Sequence, residues 1–195
     1  TSLKNARTTV DEVKANWKVL GENYSECLHC AVVHPELVDL VPIYKTGTTI
    51  QADRPDWGVS LAEGATGLSF KQNENLPLLP AMDEIDDYSV FGAYVYPNML
   101  IDISPTVAVI TRYVPRSATH TTIFTDYLFP KDAVDNPEVD LEPTISFSDL
   151  VNQQDISVCV RVQRGVASKS FTRAYHTKME RYCKQLIQRY RSEIS

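Results

Sequence analysis

The stretch VFGAYVYPNMLIDISPTVAVITRYVPRSATHTTIFTDYLF, residues 90–129, decides the fold. It is rich in Val, Ile, Thr, Tyr and Phe, the side chains that suit a pleated, half-buried surface. Pro97-Asn98, Ser104-Pro105 and Pro115-Arg116-Ser117 punctuate it. The runs between these breaks read as strands over 90–96, 99–103, 106–114 and 119–129. Connections this short leave no room for a crossover, so neighbouring strands run antiparallel. Upstream the period stays at two, with further candidate strands at 46–51 and 67–71. Residues 73–87, acidic and proline-bearing, read as a loop, and so do 130–143.

Helical signals flank this block. Val10, Val13, Trp17 and Leu20 fall three or four apart, which predicts a helix over 9–20. Ser148 is the expected N-cap of a helix running to about Gln163, with Gly165 ending it. A last helix is expected over 174–194, its apolar face formed by Tyr175, Met179, Tyr182, Leu186, Tyr190 and Ile194. The sum is an α+β fold, an antiparallel sheet with helices on one face.

The 195 residues suit one domain with a core of its own. With 43% hydrophobic and 23% charged side chains, the chain is neither disordered nor a disulfide scaffold. There is no run of 18 apolar residues, so no membrane partner is expected. The net charge of −6 argues against nucleic acid. Charge is uneven: residues 151–195 carry nine basic and three acidic groups, read either as a solvated helix exterior or as a docking face. The chain starts at Thr1 with no apolar leader, which suggests a piece of something longer. Cys27, Cys30, Cys159 and Cys183 are expected to be free thiols in a cytoplasmic protein. Cys27 and Cys30 have C-x-x-C spacing, yet no second pair exists to complete a zinc site. No second Cys-x-x-His exists to hold a Rieske iron–sulfur cluster either.

Chemistry concentrates in two places. His29 and His34 lie five apart, with Glu26 three before the first. On a regular helix the two rings would diverge by roughly 140°. They converge only if the helix loosens or ends before His34, and Pro35 favours the second option. Asp155 shares a predicted helical stripe with Val151, Val158, Cys159 and Val162. A carboxylate there needs compensation, from Arg161 or Arg164 or from a metal ion. Two histidines and one aspartate make a facial triad with open positions, suited to Fe(II). The same three groups, with Glu26 as general base, would also suit a zinc-dependent hydrolase. A metal-free ligand-binding domain is the third alternative.

Residues 15–20 (ANWKVL), 22–30 (ENYSECLHC) and His34-Pro35, then 152–155 (NQQD) and 162–168 (VQRGVAS), resemble the catalytic domain of Rieske non-heme iron oxygenases. The resemblance implies a helix-grip, START-like catalytic domain over residues 1–195. It implies a mononuclear Fe(II) on His29, His34 and Asp155, with Asn23 close to the iron. Glu26 falls where the family bridges to the cluster of a neighbouring subunit. A glutamate there, within Glu-Cys-x-His-Cys, is similar to the branches acting on choline, carnitine and betaine. The resemblance further implies dioxygen, an aromatic or quaternary-ammonium small molecule, a reductase or ferredoxin as electron donor, and a homotrimer. The [2Fe–2S] domain that precedes the catalytic domain in this family is absent from this chain, so the isolated chain is expected to be inactive. Tyr94 and Tyr96 share a strand face and would suit either a trimethylammonium cage or plain sheet core.

Overall fold

The computed structural model describes residues 2–49, 58–72, 76–80, 82 and 89–194. Six strands form one sheet: β1 (Leu3–Val13), β2 (Val59–Ser60), β3 (Ser89–Val95), β4 (Met99–Ile103), β5 (Ala108–Ser117) and β6 (His120–Pro130). Their spatial order is β1-β6-β5-β4-β3-β2, antiparallel throughout. The four strands of the deciding stretch appear as a meander from β3 to β6, delimited at Pro97-Asn98 and Ser104-Pro105; Pro115-Arg116-Ser117 do not end β5 but lie inside it, because pairing with β6 continues through Pro115 and Ser117 across a register shift.

The helices are α1 (Trp17–Tyr24), α2 (Cys30–Val33), α3 (Pro35–Leu40), α4 (Lys131–Asp135), α5 (Glu142–Val166) and α6 (Arg181–Ile194), with a 3-10 turn at Pro42–Thr46. Leu20 of α1 and Cys159 of α5 are buried with Leu100, Tyr113 and Ile123 of the sheet. Near the start of α5, Ile145 packs with Val107, Val109, Tyr127 and Phe129. Twenty-five residues give α5 a length of about 37 Å, enough to cross several strands. The architecture is the expected α+β arrangement.

Several local expectations fail, each for a physical reason. Residues 9–13 belong to β1, not to a helix, because β1 pairs with β6 from Leu3 to Val13 and that ladder outweighs a weak helical periodicity. The helix begins only at Trp17, where the Asn16 side chain accepts from the Lys18 N–H at 3.0 Å. The strand expected at 46–51 is replaced at its start by the 3-10 turn, closed by Gly47 at φ +78°. Its last two positions lie outside the described residues. Residues 67–71 form bends rather than a strand. Most of the loop expected at 73–87 also lies outside the described residues. The loop expected at 130–143 contains α4. Helix α5 starts at Glu142, with Pro143 in its first turn, so Ser148 is internal and its hydroxyl donates to the Thr144 carbonyl. Gly165 lies within α5. Helix α6 is shorter than expected and buries Cys183 and Leu186, leaving Tyr175 and Ile194 exposed. Cys27 and Cys30 are joined in a disulfide, against the expectation of free thiols, because the turn between α1 and α2 brings their Cα atoms to 5.0 Å. Cys159 and Cys183 are free and buried. Among the described residues, no helix is long and apolar enough to cross a membrane.

Candidate metal centre

The two histidines flank the single turn of α2. His29 precedes it and His34 ends it, leaving helical geometry at φ −122° before Pro35. That break turns the rings toward each other, with centroids 5.1 Å apart and planes at 76°. Asp155 reaches them from α5. Its Oδ1 lies 3.0 Å from His34 Nε2 and 3.2 Å from His29 Nε2. The Asn23 amide donates to the same oxygen at 2.7 Å. The partners of Asp155 are thus two imidazoles and an amide, while Arg161 bonds Ser157 on its own helix. Asn23, Glu26, His29, His34 and Asp155 all come together.

The far side of each ring is also fixed. His29 Nδ1 lies 2.6 Å from Glu26 Oε1, and Glu26 also accepts from the Leu28 N–H. Glu26 and His29 both lie in the turn between α1 and α2. His34 Nδ1 lies 2.7 Å from Gln154 Oε1, and the Gln154 amide nitrogen donates to Glu36 at 3.0 Å. A carboxylate only accepts, and Gln154 presents its oxygen, so each ring carries its proton on Nδ1. Both Nε2 atoms then face one carboxylate oxygen. Two ring lone pairs and an anionic oxygen at such distances need a proton or a cation between them. Burial disfavours a charged His29, yet its bonds to Asp155 and Glu26 win and raise it to about 9. Burial likewise opposes ionised Asp155, and the two imidazoles hold it down to about 2. A divalent cation satisfies the same three donors without extra protons. Cys30 Sγ is 3.8 Å from His29 Nε2, but its disulfide leaves no thiolate to ligate. The donor chemistry therefore fits a two-imidazole, one-carboxylate site.

The site opens into a cavity of about 820 Å³ between the sheet, α1, α5 and α6. The description "ring hydroxylating alpha subunit (catalytic domain)" matches the chain over residues 1–195. The chain belongs to this family. The carnitine monooxygenase oxygenase subunit of Acinetobacter baumannii is 26% identical over 172 residues, covering 87% of this chain and 43% of that protein. The chloroplastic choline monooxygenase of Arabidopsis thaliana is 23% identical over 170 residues, covering 87% and 37%. The structure of a quaternary ammonium Rieske monooxygenase aligns with a TM-score of 0.73 at 21% identity, covering 98% of this chain and 50% of that one. The chain thus spans half or less of the length of these relatives.

Within this ring-hydroxylating catalytic domain, Gln154 and Glu36 went unassigned in the sequence, although Gln154 adjoins Asp155. Their signal is faint: a polar side chain beside a predicted ligand, which matters only once His34 is known to face it. Tyr24, Asp102 and Gly92 were likewise unassigned. Asp102 follows the buried Leu100 by two on β4, and an acid in phase with a core residue is a readable signal.

Proposed function

We propose that residues 1–195 are the catalytic part of a Rieske-type non-heme iron oxygenase. In this reading His29, His34 and Asp155 hold one Fe(II). Bound there, the metal would supply dioxygen activation for hydroxylating a carbon of an aromatic or quaternary-ammonium small molecule. The observation that carries the reading is the convergence of both Nε2 atoms on Asp155 Oδ1, with both Nδ1 atoms already engaged.

The remaining residues act by position. Glu26 and Gln154 hold the Nδ1 protons and so fix the tautomers that leave Nε2 free to ligate. Asn23 clamps Asp155 in one rotamer. Strands β3 to β6 wall the cavity beside the site. Electrons would come from a [2Fe–2S] cluster in a domain outside residues 1–195, itself supplied by a reductase or ferredoxin. Glu26, anchored on His29 and on the Leu28 amide, is the proposed bridge to the cluster of a neighbouring subunit in a homotrimer. The cytoplasm is the proposed location.

The test uses the full-length protein with its cluster domain and reductase. Fresh protein should contain about one mononuclear iron per chain beyond the cluster and consume dioxygen with substrate. Asp155→Ala should lose that iron and all turnover. Full iron and turnover in Asp155→Ala would reject the ligand set, and zinc in place of iron would reject the oxygenase.

A further inference from the structure

The cavity holds an acid that the metal site does not use. Asp102 sits on β4 in phase with Leu100 and lines the cavity. Its Oδ1 accepts from Tyr24 Oη at 2.6 Å. Among the described residues no other hydrogen bond and no ion pair reaches it. Burial raises Asp102 to about 6, against the Tyr24 bond, with the charge of Asp155 adding to the rise. Gly92 faces Asp102 across the β3–β4 ladder. A Cβ at position 92 would lie 2.6 Å from Tyr24 Oη and 3.1 Å from Asp102 Oδ1, so the strand is bare where this pair needs room.

The surroundings offer Asp102 no counter-charge. The other acids lining the cavity are engaged: Asp155 and Glu26 by histidines, Asp11 by Gln153. Arg189, the one Lys or Arg among the described lining residues, bonds Glu193. Tyr24, Tyr44, Tyr94 and Tyr113 line the same space. A half-buried carboxylate at a cavity wall with one neutral donor is costly to keep, and tyrosine faces attract cations. We infer that Asp102 is the charge-selecting residue of the cavity and holds the cationic, ammonium end of the substrate against the tyrosine faces. This rests on the oxygenase reading of the same cavity and narrows its substrate to a cation.

The test uses iron-loaded full-length protein without dioxygen and two probes of one shape, choline and its neutral isostere 3,3-dimethylbutan-1-ol. Calorimetry should show choline bound at least about tenfold more tightly, a difference of about 1.4 kcal/mol. Asp102→Asn should bring the two affinities within about twofold at unchanged iron content. Gly92→Ala, which displaces the Tyr24–Asp102 pair, should also shrink the ratio. Equal affinities in the unmutated protein, binding of neither probe, or full discrimination in Asp102→Asn would each overturn the assignment. If Asp102→Asn fails to fold, Gly92→Ala decides, and full discrimination in that variant overturns the assignment. Metal content, and turnover once dioxygen and reductase are added, are read on the same preparations. Iron and turnover without charge discrimination reject Asp102 alone. Discrimination without iron rejects the oxygenase and leaves Asp102 standing.

Discussion

Replacing Asp102 by Asn should stabilise the ligand-free protein at neutral pH, and the gain should fade in acid. The folded carboxyl is raised to about 6 from its ordinary 3.8. A raised acid is a burden in the folded state. The burden is absent well below 3.8, where both states are protonated, grows as pH rises between 3.8 and 6, and is constant above. That rise corresponds to about 3 kcal/mol, of which about 2 should develop between pH 4 and pH 8. Asparagine removes the titration and keeps an oxygen for the Tyr24 hydroxyl. For a chain of this size, 2 kcal/mol is worth about 4–8 °C in Tm. Chemical denaturation of both proteins at the two pH values isolates the effect, since groups not coupled to Asp102 cancel in the difference and Asp155, held down to about 2, stays ionised across the range. A stability difference that stays constant within about 0.5 kcal/mol from pH 4 to pH 8 would refute the account of Asp102 as a half-buried, uncompensated carboxylate. Saturating choline should reverse the order by stabilising the unmutated protein more than the variant.

Gln154→Leu leaves the His34 Nδ1–H without its acceptor and frees the tautomer. Iron affinity, measured by chelator competition, should fall about 10–100-fold with the fold intact, and an unchanged affinity would contradict the assigned role. Glu26→Gln keeps an oxygen for His29 Nδ1 but removes the charge. It should retain iron, while turnover with the reductase falls at least about tenfold; parallel losses of both would make Glu26 a support for the ligand only. Thiol titration of the denatured, unreduced protein should find two reactive groups, from Cys159 and Cys183; four would mean that Cys27 and Cys30 are a dithiol.

The strands from β3 to β6 were legible because strand preference and turn residues agree at Pro97-Asn98 and Ser104-Pro105; at Pro115 the ladder with β6 carries β5 through the turn residues with a register shift, which no local pattern announces. The histidine pair was legible for a similar reason: Pro35 forces the chain out of the helix at His34 whatever surrounds it. Residues 9–13 were misread because their partner, β6, lies more than a hundred positions away, and no local pattern announces a ladder. The start of α5 was misplaced because Ser148 makes a good cap in isolation, whereas Glu142-Pro143 begins the helix six residues earlier.

The sequence by itself determined the α+β class, the antiparallel meander and the types of donor available to a metal, since these depend on local preference and on side-chain chemistry. Only the tertiary structure decided that Asp155 meets both rings rather than an arginine, that Gln154 and Glu26 fix their tautomers, and that Asp102 stands in the cavity with no counter-charge. Those are statements about distance across elements far apart in the chain, and distance is set by packing.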